Sequence, residues 1–177
     1  MQYDINQLIL EDHKNIRQEL KNGQKVKVKD RKSYVEKLAR LIISHEQAEE
    51  QTLYRFVTEN LEGKNHVLLN NLRPKFKDHK QIDALVFELE DESISSEDWL
   101  SYLDNLSQNF NLHASDEENE LLPVTQDLLT KESSELLKES YIKIQNEILN
   151  NISTATDRQI RDKIKQSLAI YEARKQT

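Results

Sequence analysis

Residues 45–50 read HEQAEE and residues 113–118 read HASDEE. Both have the form H-x-x-x-E-E, in a chain that holds only five histidines. Residues four apart on a helix share a face, so His45 points with Glu49 and His113 points with Glu117. His13 and His79 each sit on an apolar stripe of their own. Imidazole nitrogens with carboxylate oxygens form a donor set for iron, manganese or zinc, and a carboxylate can bridge two ions. The chain has no cysteine, which excludes disulfides, thiolate nucleophiles, iron–sulfur clusters and Cys-type zinc sites. A pair of non-haem irons is then the leading candidate, with manganese or zinc as the other choices.

The elements that must carry these residues are helical. Gly and Pro each occur twice, which removes most turn punctuation and favours a few long helices with short joins. Apolar residues recur at helical spacing over about 5–20, 33–60 and 66–90, and again after Ser95-Ser96-Glu97, a capping signal. Pro74 should kink the third segment or mark its true start, and Pro123 should bend or end the fourth. The expected fold is all-α: an antiparallel up-down four-helix bundle over residues 1–125 with additional C-terminal helices over 126–177. Leu136, Leu137, Ile144 and Ile148 mark one tail helix; Ile160, Ile164, Leu168 and Tyr171 mark another. The sequence leaves open whether these pack on the bundle, extend it or form a homodimer with a second copy.

Each of the four stripes carries one histidine where a leucine would be ordinary: Ile9-His13-Ile16, Ile42-His45-Glu49-Leu53, Phe76-His79-Ile82 and Phe110-His113-Glu117-Leu121. A single such histidine is more often a core residue with one hydrogen bond. The four are separated by 32, 34 and 34 residues, about one helix plus one join each time, so alternating helices can present them at similar depth. A buried ionised carboxylate is costly unless it is paired or binds a metal, and these stripes carry no Lys or Arg. Cations held by His13, His45, Glu49, His79, His113 and Glu117 resolve the problem. Leu53, Phe76, Ile82, Phe110 and Trp99 are the expected apolar lining. Partners for the ligand histidines should come from other helices, because Asp12, Asp78 and Asp116 are sequence neighbours turned away from them.

The stretches EDH at 11–13, HEQAEEQTLY at 45–54, KDHKQIDAL at 77–85 and HASDEENELLP at 113–123 resemble the hemerythrin-like HHE cation-binding family. The resemblance covers residues 1 to about 125. It implies a di-iron centre with those six residues as ligands and Glu49 and Glu117 as bridges. Oxygen-carrying members supply five histidines, whereas only four fall in register here. His66 lies 13 residues before His79, roughly 20 Å along a helix, and is read as a solvent histidine. Glu46 is the better candidate for an extra oxygen ligand; helical periodicity otherwise assigns Glu46, Glu50 and Glu118 to solvated faces.

Four histidines and two bridging acids leave coordination positions for a bridging oxo or hydroxo group, water, or a small ligand. The expected function is a di-iron protein that binds, senses or stores O2, nitric oxide, peroxide or iron. The alternatives are a redox enzyme or iron donor in nitrosative or oxidative stress repair, and a helical interaction module with a structural metal. Whether the chain is an enzyme is left open. A net charge of −7 argues against nucleic acid, with the basic stretch Lys21–Lys32 read as a solvated loop. No apolar run is long enough to cross a bilayer, and MQYDINQLIL lacks the basic-then-apolar pattern of a signal peptide, so a cytoplasmic location is expected.

Overall fold

The computed structural model describes residues 4–61, 66–91 and 93–151. Among these every regular element is helical. Helix α1 (Ile5–Gly23) starts at a reciprocal cap: the Gln7 amide donates to Asp4 Oδ1 at 2.9 Å, and the Asp4 amide donates to Gln7 Oε1 at 3.3 Å. The basic stretch that follows folds into a short 3₁₀ turn, Val28–Asp30, leading directly into α2 (Arg31–Glu49). A π-helical turn, Glu50–Tyr54, joins α2 to α3 (Arg55–Leu61). Helix α4 spans His66–Leu89 and runs through Pro74, so it begins well before the proline. Helix α5 (Ser96–Asp116) is capped by Ser95, whose hydroxyl accepts from the Asp98 amide at 3.0 Å.

Pro123 does not end the fourth segment. A second π-helical turn, Glu117–Leu121, precedes it, and the proline sits in the first turn of α6 (Leu122–Leu128). A proline in mid-helix loses one backbone bond and collides with the carbonyl four residues back. In the first turn of a new helical register its missing N–H matters little. Helix α7 (Lys131–Asn151) closes the described chain. The expected helix around Ile160–Tyr171 lies outside the described residues, as does the side chain of His66.

Helix α1 packs against α2 and α5, and α4 packs against the same pair. Helix α7 lies on α2 and α1. The apolar residues form two clusters. One holds Ile16, Leu20, Leu38, Ile42, Ile82, Val86, Trp99, Leu103, Leu106 and Phe110. The other holds Ile5, Ile9, Leu53, Tyr54, Val57, Leu72, Leu121 and Tyr141. Helices α1, α2 and α4 carry their histidines where their side chains pass from one cluster to the other, and α5 carries His113 near its end, before the π turn that brings Leu121 into the second cluster.

Candidate metal centre

Between those clusters His13, His45, Glu49 and Glu117 are each fully buried, and His79 and His113 are nearly so. The structure brings all six together. Ligand-type atoms of His13, His45, Glu49 and Glu117 lie within 4.8 Å of one another, and so do those of Glu49, His79, His113 and Glu117. The two groups share both glutamates, which suits a pair of ions side by side. Each histidine turns Nε2 inward. His13 Nε2 is 3.2 Å from Glu117 Oε2, His45 Nε2 is 3.4 Å from Glu49 Oε2, and His113 Nε2 is 3.3 Å from Glu117 Oε2. His79 Nε2 lies 3.7 Å from Glu49 Oε2 and 3.1 Å from His113 Nε2.

The donor set fits cations. Both oxygens of Glu49, Oε2 of Glu117 and the Nε2 atoms of His13 and His45 are buried without a hydrogen-bond partner. Orphaned polar atoms of this kind are rare in folded proteins and call for an ion or water. The nearby basic side chains are engaged elsewhere: Arg17 with Glu118, and the buried Lys75 with Asp116 at 2.9 Å. Protons partly take the place of metal. Burial pushes His13 down, but Glu117, Glu118 and Glu49 outweigh it and hold the imidazole up at about 11. His113 is also raised, burial being overcome chiefly by the Glu117 charge. Glu117 is correspondingly lowered against its burial by His113 and His13. His79 is driven down to about 3 by burial and by the neighbouring His113.

The outward nitrogens face carboxylates of other helices, in a repeated pattern. His13 Nδ1 meets Glu118 at 2.9 Å, and His79 Nδ1 meets Glu50 at 2.8 Å. His45 Nδ1 faces Asp12 at 3.7 Å, and His113 Nδ1 faces Asp78 at 3.8 Å. Exchanging α1 with α4 and α2 with α5 therefore maps one half of the site onto the other. Glu50 and Glu118 are thus not on solvated faces; the second glutamate of each H-x-x-x-E-E motif turns to the histidine of a neighbouring helix. Such partners orient a ligand imidazole and raise its basicity. Glu118 is kept down at about 2 by His13, against some burial, with help from Arg17. Burial lifts Glu50 to about 7, although Lys80 and His113 oppose it.

Glu46 belongs to neither group of ligand atoms. One residue beyond His45 it is rotated about 100° around the helix. It is buried against Asp83 instead, and its carboxyl is raised well above normal by burial and by that second acid. Of the expected lining, Phe110 packs its ring 6.0 Å from His13 and 6.2 Å from His45. Trp99 lies 14 residues before His113, about 21 Å along α5, where it packs on Tyr34 and under Arg31. Phe76 is on the rim, 36% exposed, with its ring 5.1 Å from that of Tyr54.

Two tyrosines reach the site without having been singled out from the sequence. Tyr54, at the end of the first π turn, stacks on His79 with ring centroids 5.5 Å apart. Its hydroxyl donates to Glu117 Oε1 and lies 3.2 Å from His79 Nε2. Tyr141 comes from α7 and touches His45 Nδ1 at 2.9 Å. The Tyr54 signal was present in the sequence, nine residues after His45 on the same helix; a π turn changes the register and hides it from a 3.6-residue projection.

Comparison with protein families matches residues 4–125 to the hemerythrin HHE cation-binding domain. Comparisons with curated proteins and with solved structures find no significant match. The matched segment is most of the chain and contains all six clustered side chains, so this protein belongs to the hemerythrin HHE cation-binding family.

Proposed function

We propose that this is a non-haem di-iron protein that binds, senses or stores O2 or a related small oxidant, nitric oxide or peroxide, or iron itself. One observation carries the reading: two groups of buried His and Glu share Glu49 and Glu117, and both Glu49 oxygens, Glu117 Oε2 and the Nε2 atoms of His13 and His45 have no hydrogen-bond partner among the described residues. A bound pair of ferrous ions would lend electrons to a small ligand and recover them.

The chain's own residues account for the rest. Glu49 and Glu117 would be shared by the two ions, with His13 and His45 holding one and His79 and His113 the other. Phe110 and the two apolar clusters keep bulk water away from the centre. Tyr54 offers a hydroxyl donor inside the site, next to Glu117. The alternation of the helices between the clusters supports an antiparallel up-down arrangement of α1, α2, α4 and α5, in which residues 1–125 form the metal unit. Helix α7 adds an outer helix to it.

Elemental analysis of freshly purified protein tests the reading, with absorption spectra recorded before and after anaerobic protein meets O2. Two irons per chain and new charge-transfer bands on oxidation are expected. Less than one metal per chain after reconstitution, or spectra indifferent to O2 and to nitric oxide, would remove it.

A further inference from the structure

The near-symmetry of the site breaks at the outward nitrogens of His45 and His113. Asp12 and Asp78 face His45 Nδ1 and His113 Nδ1 at 3.7 and 3.8 Å, both too far for a hydrogen bond. On the His113 side no described residue fills the gap, and among the described residues Nδ1 is buried without a partner. On the His45 side the Tyr141 hydroxyl fills it, 2.9 Å from His45 Nδ1 and 2.7 Å from Asp12 Oδ2. Tyr141 is fully buried, and Gln145 of the same helix donates to the same Asp12 oxygen at 2.6 Å. Both lie on α7, beyond the 4–125 segment that matches the family.

Hydrogen-bond direction follows from chemistry. A carboxylate only accepts, so the Tyr141 hydroxyl gives its proton to Asp12. The phenol oxygen is then free to accept, and its other neighbour is His45 Nδ1. That nitrogen must carry a hydrogen, and in the neutral imidazole Nε2 is then bare, facing Glu49 Oε2 at 3.4 Å. A bare Nε2 is the form a cation needs.

We infer that Tyr141 is a positioning residue: through the chain Asp12–Tyr141–His45 it fixes the His45 tautomer and makes the His13–His45 half of the centre the tighter half for a divalent cation. The affinity consequence rests on the di-metal reading above; the tautomer does not. The outer helix is on this view part of the site, and the two halves, alike in ligands, are unequal in how firmly their second histidine is set.

Two readouts on the full chain test this. In metal-free protein carrying ¹⁵N-histidine, long-range ¹H–¹⁵N NMR is expected to show His45 with its hydrogen on Nδ1, and a mixture of forms in Tyr141→Phe. Anaerobic Fe(II) titration against a chelator, in a His113→Ala background that isolates the His13–His45 half, is expected to show binding weakened about tenfold or more by Tyr141→Phe. A purely structural role for Tyr141 would lower the melting temperature and leave the tautomer alone. His45 carrying its hydrogen on Nε2, or an unchanged tautomer in the variant, overturns the inference whatever metal is bound. Unchanged Fe(II) affinity overturns the claimed inequality. A wild-type chain that shows the tautomer but takes up no iron removes the di-metal reading instead. Should Tyr141→Phe fail to fold, Asp12→Asn takes away the charge that orients the hydroxyl, and the same shift is expected.

Discussion

Glu49 and Glu117 differ from the four histidines in one respect: each takes part in both groups of ligand atoms, whereas each histidine takes part in one. The consequences of truncation should differ accordingly. His13→Ala removes a donor from one group and leaves the other with its full set, so about one metal per chain should remain. Glu49→Ala removes a donor from both groups at once, and metal content should fall towards zero. Elemental analysis of the two variants after identical reconstitution makes the comparison. Equal losses would mean that the glutamates do not bridge. Glu118 offers a subtler case. It carries no inward atom, yet it holds His13 Nδ1 and is itself held by Arg17. Glu118→Gln keeps the shape and removes the charge. Metal affinity in the His13–His45 half is expected to drop about 10- to 100-fold while the other half is unchanged, as read by competition with a chelator.

At the scale of elements, the helices have to meet closely enough to bring ligands from four directions. Gly23, the last residue of α1, sits at one such close approach. A Cβ there would come within 2.8 Å of Leu103 Cδ2 on α5 and of Tyr34 Cζ on α2. Tyr34 cannot retreat easily, because its hydroxyl donates to the Glu19 carbonyl at 2.9 Å. Gly23→Ala should therefore destabilise by about 1–3 kcal/mol through overpacking. In a chain of this size that lowers the melting temperature by roughly 2–4 °C per kcal/mol. Gly23 is ten residues, about 15 Å, from His13 along α1, so metal content should be unaffected. The same scale separates what the sequence revealed from what it hid. The helices and the six clustered side chains were legible because a polar residue on an apolar stripe stands out. Glu50 and Glu118 were misread because the projection of a single helix sees only its own core face, and these acids answer histidines on neighbouring helices. Tyr141 was invisible for a different reason. On α7 it sits between Leu137 and Ile144 as one more amphipathic position, and only the docking of α7 on α1 and α2 reveals where its hydroxyl ends.

For the whole molecule, protons and metal compete for one set of atoms. A coordinating imidazole must be neutral, yet without metal His13 is held protonated up to about 11, burial being outweighed by Glu117, Glu118 and Glu49. Metal uptake at neutral pH should thus release at least one proton per chain. Each proton released makes apparent affinity rise about tenfold per pH unit. Stability moves the other way in the metal-free chain. His13 is raised in the folded state, so its contribution is complete below its unfolded value of about 6.5 and fades as pH climbs towards 11. In the loaded chain the cation replaces that proton, and this loss is absent. The gap in melting temperature between loaded and metal-free protein should therefore widen from pH 6.5 to pH 8.5. In the metal-free chain Glu50 has a folded value near 7 and Asp83 near 6; Glu50 touches His79, so a cation there would ease its ionisation and widen the gap further. Thermal unfolding at several pH values, with and without metal at fixed free concentration, measures the gap. A gap that stays constant or narrows with rising pH would mean that protons do not occupy the site the metal needs.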